Sequence, residues 1–223
     1  MVFVPINLFF IRKFLLESIM LISFSNIKQK YNMNITGIIH VGGHYGEEVT
    51  DYINCGIQNM VFFEPILENF NILEKNLSGV NANIEGYQVA LGATQTEMEI
   101  NVSSNGGLSS SLLKPKKHLT QYTDITFDKT ELVEVRTLDS YSFSGYNFIN
   151  MDVQGYELEV LKGGSKTLEN VDYVYCEVNR DEVYENNAYI EEIDEFLSKY
   201  NMERVEVNWQ GDTWGDALYI KKK

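Results

Sequence analysis

The residues able to do chemistry fall in two places, a glycine turn answered by an acidic strand end, and an acidic segment farther along the chain. The turn is Gly42-Gly43-His44-Tyr45-Gly46, which follows the β-rich run Ile38-Ile39-His40-Val41. Glycines let a backbone take positive φ and approach a ligand without a Cβ, and the helix start that follows offers unpaired N–H groups to a carboxylate or phosphate. A tight structural turn is the plainer explanation of the same residues. Glu64 ends the next apolar run, Met60-Val61-Phe62-Phe63, just before Pro65. A carboxylate there can accept hydrogen bonds from both hydroxyls of an adenosine ribose, or simply complement a helix start. Dinucleotide sites normally read G-x-G-x-x-G; this chain reads G-G-x-x-G, which moves the expectation toward S-adenosylmethionine.

The second constellation is Asn150-Met151-Asp152-Val153-Gln154-Gly155-Tyr156-Glu157. Asp152 closes an apolar strand and is expected to face the same cleft as the glycine turn, where it can orient an acceptor hydroxyl or take up its proton. Glu157, in a first helical turn, also suits the helix dipole alone. Glu177 ends a further strand. Three carboxylates can hold a hard cation, but nothing in this spacing demands one, and no metal is expected.

Elements that would position these groups alternate between β-rich runs and helical periodicity, the pattern of an α/β doubly wound, mostly parallel sheet. Strands are expected at 38–41, 60–63, 84–91, 132–135, 147–151 and 171–176, with 97–102 as an edge or hairpin strand. Helices are expected at about 45–55, from 66 to about 78, from 158 to Gly163, and along the amphipathic series Ile190, Ile193, Phe196, Leu197 and Tyr200. Residues 203–207 and 217–220 read as a closing antiparallel pair, and 103–129 as a lid, a binding loop or disorder.

With 223 residues, 44% of them hydrophobic, the chain can bury one sizeable core. It divides into an apolar extension, residues 1–35, and one domain, 36–223. The formal charge of -14 opposes nucleic acid as a partner, because the best basic run, Lys114-Pro115-Lys116-Lys117-His118, is short. Cys55 and Cys176 build neither a disulfide framework nor a zinc site, which fits a reducing, cytoplasmic setting. Arg12, Lys13 and Glu17 interrupt the apolar stretch 1–24, so it reads as a peripheral helix, with a surface-anchoring role as the alternative, and not as a transmembrane span.

Five segments together resemble the FkbM family of methyltransferases: 39–48 around the glycine turn, Val61-Phe62-Phe63-Glu64-Pro65, Val89-Ala90-Leu91-Gly92, Val135-Arg136-Thr137-Leu138-Asp139, and 152–163, the most specific. The resemblance implies a Rossmann-like class I methyltransferase fold and S-adenosyl-L-methionine as cofactor. It implies a cofactor site drawn from His40, Gly42, Gly43, His44, Tyr45, Gly46, Glu64, Pro65, Val89, Ala90 and Asp152. The acceptor it implies is a hydroxyl of a sugar, glycan or other small natural product. One departure is His40, where the family's first strand often ends in Asp. Methyl transfer from a sulfonium depends mainly on in-line positioning, and Asp152 or His44 is the candidate to take the acceptor's proton. Trp214 and Asp216 on the final hairpin, with Trp209 before it, suit sugar stacking, although tryptophans more often simply pack. Two other readings remain: a non-catalytic binding or scaffold protein of the same fold, and a nicotinamide-dependent oxidoreductase, which the glycine spacing disfavours.

Overall fold

The computed structural model describes residues 20–222. Its main sheet has seven strands: β1 (Ile38–Val41), β2 (Asn59–Phe63), β3 (Asn83–Tyr87), β7 (Phe148–Met151), β8 (Tyr173–Asn179), β9 (Met202–Gln210) and β10 (Trp214–Lys221). They lie in the order β3-β2-β1-β7-β8-β10-β9, parallel except for β10, which runs against both of its neighbours. The central strands β1 and β7 are buried throughout, as apolar runs covered on both faces must be. A smaller sheet, β4 (Ala90–Leu91), β6 (Lys129–Arg136) and β5 (Thr96–Val102), flanks one end.

Alternation along β1 serves two cores. Ile39 and Val41 join Ile149, Met151, Val174 and Cys176 on one face. Ile38 joins Phe62, Leu73, Tyr52 and Phe148 on the other. The helices over these faces are α1 (Phe24–Lys30), α2 (Val49–Asn54), α3 (Leu67–Leu77), the single turn α4 (His118–Gln121), α5 (Glu157–Lys162), α6 (Ser165–Leu168) and α7 (Ile190–Ser198). A 3-10 turn, Leu138–Ser140, lets Asp139 accept from the backbone N–H groups of Lys166 and Thr167, so this acid caps α6. Gly163 is required by space: a Cβ there would lie 2.0 Å from the carbonyl oxygen of Gly92.

Three expectations change. The strand expected over 84–91 is two: β3 stays in the main sheet, and after Gln88 and Val89 the chain crosses to pair β4 with β6. The helix expected from 45 begins at Val49, because His44 (φ 41°) and Gly46 (φ 78°) hold the preceding residues in a left-handed turn. The 103–129 stretch is ordered by its own polar side chains. Ser103 Oγ donates to Asn105 Oδ1 at 2.6 Å, and Asn105 Nδ2 donates to Ser109 Oγ at 3.0 Å.

The peripheral helix expected over 1–24 falls almost wholly outside the described residues. Among the described residues, no helix is long and apolar enough to cross a membrane. Phe24 and Ile27 of α1 are buried, and the Phe24 ring meets Tyr52 at 4.8 Å and Phe148 at 5.4 Å, edge to face. Replacing Phe24 by Ala is expected to cost about 3–5 kcal/mol in urea denaturation; a loss near zero would show that α1 only leans on the core.

Candidate active site

At the carboxyl ends of β1, β2, β7 and β8 lies a cleft with about 1040 Å³ of empty space, open to solvent. The sheet order reverses between β1 and β7, the position at which open α/β sheets bind ligands.

One wall is the glycine turn. Gly42 (φ 82°) must lack a side chain, because a Cβ would come within 1.9 Å of the Asp152 carbonyl oxygen. Gly42 and Gly43 both donate their N–H to the Phe63 carbonyl, which fastens the turn to the end of β2. Glu64 is buried there, and each of its oxygens accepts one backbone N–H, from His44 at 3.0 Å and from Ile66 at 2.9 Å. A carboxylate has about four acceptor positions, so two remain for a ligand. Burial pushes its pKa up to about 7, although those two N–H groups favour the charged form.

His44 has both ring nitrogens engaged, Nδ1 with Glu47 Oε1 at 2.8 Å and Nε2 with the Gly106 carbonyl at 3.0 Å. Burial opposes its charge, but the hydrogen bond and charge of Glu47 outweigh it and raise the imidazole's pKa. The Tyr45 ring stacks on His44 at 3.7 Å. His40 lies on the face of β1 opposite Ile39 and Val41 and still borders the cleft, with Tyr52 Oη 3.3 Å from Nδ1 and Asn150 Nδ2 3.5 Å from Nε2. Burial lowers its pKa to about 4, so it is a neutral imidazole.

Of the residues expected at a cofactor, His40, Gly42, His44, Glu64, Pro65, Val89, Ala90 and Asp152 line this one cleft. Gly43, Tyr45 and Gly46 support the turn from behind. Trp214 and Asp216 also line the cleft, whereas Trp209 stacks under Arg180 at 4.4 Å and does not. The Lys116 and Lys117 ammonium groups of the basic run pair with Glu182 and Asp181.

The facing wall is acidic. Gln154 Nε2 donates to Asp152 Oδ1 at 2.7 Å and to Glu177 Oε2 at 2.9 Å, and Gln154 Oε1 accepts from the Tyr184 hydroxyl at 2.7 Å. Gln154 takes φ 54° to do so, a left-handed conformation that a non-glycine residue holds at a cost. Glu157 Oε1 accepts the N–H groups of Val153 and Gly155, both at 3.1 Å. Asp152, Glu157 and Glu177 each bring one oxygen within 4.8 Å of the others. Burial raises all three pKa values, that of Glu157 to about 8, and mutual repulsion adds to the rise at Glu157 and Glu177. Asp216 is pushed up to about 7 by burial and accepts from the Tyr175 hydroxyl and from the Leu21 N–H. Sequence reasoning missed Gln154, Tyr184 and Tyr175 as partners of the acids. Their signals were a glutamine inside the acidic segment, a tyrosine on β8 and one at an isolated β-bridge, none of which marks function in isolation.

A mostly parallel sheet whose order reverses between β1 and β7, with one antiparallel strand and a glycine turn beside a buried carboxyl at its carboxyl ends, has the architecture of the Rossmann-like methyltransferases. The chain belongs to the family described as the methyltransferase FkbM domain, whose model matches residues 40–203. It is 26% identical to the 2-O-methyltransferase NoeI of Sinorhizobium fredii over 74% of this chain and 72% of that protein. Its fold is similar to that of the FkbM methyltransferase from Methylobacillus flagellatus (TM-score 0.58, 16% identity), over 83% of this chain and 43% of that one. It is also similar to the fold of magnesium protoporphyrin IX methyltransferase from Synechocystis (TM-score 0.50, 7% identity), over 88% and 74% of the two chains, a structure with bound S-adenosylmethionine.

Carboxyls with raised folded pKa values contribute stability at low pH and lose it as pH rises through those values. Between pH 6.5 and 8.5 Glu64, Asp216 and Glu157 act in this sense, as does His44, whose charged form the fold favours above the ordinary imidazole value of 6.5. His40 and His118, held neutral in the fold, oppose the trend only below their ordinary value of 6.5. The melting temperature of the ligand-free protein is therefore expected to fall across this window, by about 3 °C or more per fully ionised carboxyl. A flat or rising calorimetric profile would contradict the burial of these groups.

Proposed function

We propose that this methyltransferase uses S-adenosyl-L-methionine to methylate a hydroxyl oxygen on a sugar, glycan or other small natural product. The observation that carries the reading is Glu64: a buried carboxylate fixed by two backbone N–H groups, with acceptor capacity left over, beside a turn that admits no side chain at Gly42. That donor and acceptor set fits the diol of an adenosine ribose. Glu64 would hold the ribose, Pro65, Val89 and Ala90 would enclose the adenosine, and His40, Gly42 and His44 would border the amino acid end, with Gly43, Tyr45 and Gly46 shaping the turn. When bound, the cofactor supplies a methyl group activated on a sulfonium.

What the chain's own residues must then do is place an acceptor oxygen in line and receive its proton. Asp152 is the group for the proton. Its carboxylate lies on the cleft, burial raises its pKa toward that of a useful base, and Gln154 fixes its orientation. His44 has no ring nitrogen left for the task, being committed to Glu47 and Gly106. NoeI, whose name carries O-methylation, supports oxygen as the acceptor atom. A small-molecule acceptor also suits a cleft whose described lining includes no lysine or arginine for a phosphate backbone.

Isothermal titration with S-adenosylhomocysteine is expected to show one site. Glu64→Ala should weaken binding about 10- to 100-fold, the loss of hydrogen bonds to a charged acceptor, and no heat of binding to the native chain would end this reading. Asp152→Asn should leave that affinity nearly unchanged and lower turnover at least about 100-fold, with methylated product followed by mass spectrometry over a glycan panel. Full turnover in the variant would remove Asp152 from the proton-accepting role.

A further inference from the structure

An ammonium group ends the methionine part of the cofactor, and the residues so far placed beside that part bring it no negative charge. His40 is a neutral imidazole, Gly42 has no side chain, and both ring nitrogens of His44 are engaged. Glu48, which lies directly before α2, does reach this part of the cleft. Its Oε2 stands 4.0 Å from His40 Nε2, too far for a hydrogen bond, and the neutral ring is no counter-ion. With 12% of its side chain exposed, Glu48 is largely out of water and still open to the cleft. Burial and the charge of Glu47, followed by those of Asp152 and Asp216, raise its pKa well above the ordinary carboxylate value, against the effect of its own backbone N–H. An acid serving only the dipole of the six-residue α2 could do so from water, without that cost.

The sheet sets where this acid stands relative to Glu64. Neighbouring strands lie about 4.8 Å apart, so the end of β7 is about 10 Å from the end of β2, with β1 between them. A ribose on Glu64, just past β2, sends the chain that bears the sulfur across the bare backbone of Gly42. The amino acid terminus then falls where His40, Glu48 and Asn150 line the cleft. The described lining holds no lysine or arginine to pair with Glu48, so a cationic group on the ligand is what would complete this corner.

We propose that Glu48 is the counter-ion of the cofactor's α-ammonium group and so fixes the amino acid end of S-adenosyl-L-methionine beside His40, as Glu64 fixes the ribose. The inference rests on the methyltransferase reading above and adds the residue that sets the direction in which the cofactor lies. A cation there also relieves the repulsion that Glu47, Asp152 and Asp216 exert on Glu48. Glu48 is thereby a binding residue; the proton of the reacting hydroxyl still goes to Asp152.

The test uses the full chain and two ligands that differ only in the ammonium group: S-adenosylhomocysteine and its deamino analogue, the adenosyl thioether of butanoic acid. Isothermal titration of the native chain is expected to show S-adenosylhomocysteine binding at least about tenfold more tightly than the analogue. Glu48→Gln, close in shape and uncharged, should weaken S-adenosylhomocysteine at least about tenfold. The same variant should hold the analogue within about threefold or bind it more tightly, because the analogue's carboxylate no longer faces a like charge. Retained binding of the analogue also certifies that the variant is folded. Equal affinities in the native chain, an undiminished preference in Glu48→Gln, or an equal loss of both ligands in that variant would each overturn the assignment and leave the cofactor reading standing. Glu64→Ala should weaken both ligands alike, since both keep the ribose. A native chain that binds neither ligand would end the cofactor reading, and the role of Glu48 with it.

Discussion

The structure depends on satisfying a group of carboxylates, most of them buried, with no lysine or arginine beside them among the described residues. Glu64, Glu177 and Asp216, all buried, and the half-buried Asp152 line one cleft, with buried Glu157 beside Asp152 and Glu177, and the described lining of that cleft has no lysine or arginine. An unpaired buried charge is expensive, so each acid must find neutral donors or hold a proton. Much of the local architecture follows from that requirement. The turns at residues 42–44 and 153–155 aim backbone N–H groups at Glu64 and Glu157. Gln154 accepts a strained backbone in order to serve two acids with one amide nitrogen. Tyr175 and the Leu21 N–H answer Asp216, and thereby fasten the segment before α1 to the sheet.

On the proposed function, burial is also what makes the cleft useful. A lone surface aspartate is a weak base; Asp152, whose pKa burial raises, holds its proton more tightly, and its ionised form gains more from receiving one. Since the donors around it are fixed amides and hydroxyls, the environment need not reorganise when the proton moves. On that reading the same wall serves stability poorly and proton transfer well.

Much of the fold was legible because central parallel strands are apolar on both faces. β1, β2, β7 and β8 stand in the sequence as mostly apolar runs, and α7 as a clear helical stripe. The break between β3 and β4 was not legible, because residues 84–91 keep an unbroken β pattern while the chain changes sheets at Gln88 and Val89. Within the site, Glu64 and Asp152 could be found because each ends an apolar strand. Gln154 could not. It matters through a positive φ, a condition that leaves no trace in local periodicity.

The segment 103–111 touches the glycine turn through a main-chain atom, the carbonyl of Gly106 that receives His44 Nε2 and Tyr45 Oη. A carbonyl is offered by every residue type, so this junction constrains the path of the loop far more than its side chains. Side-chain changes elsewhere in this loop therefore leave its junction with the glycine turn in place, so the loop can be varied while the turn that it rests on is kept.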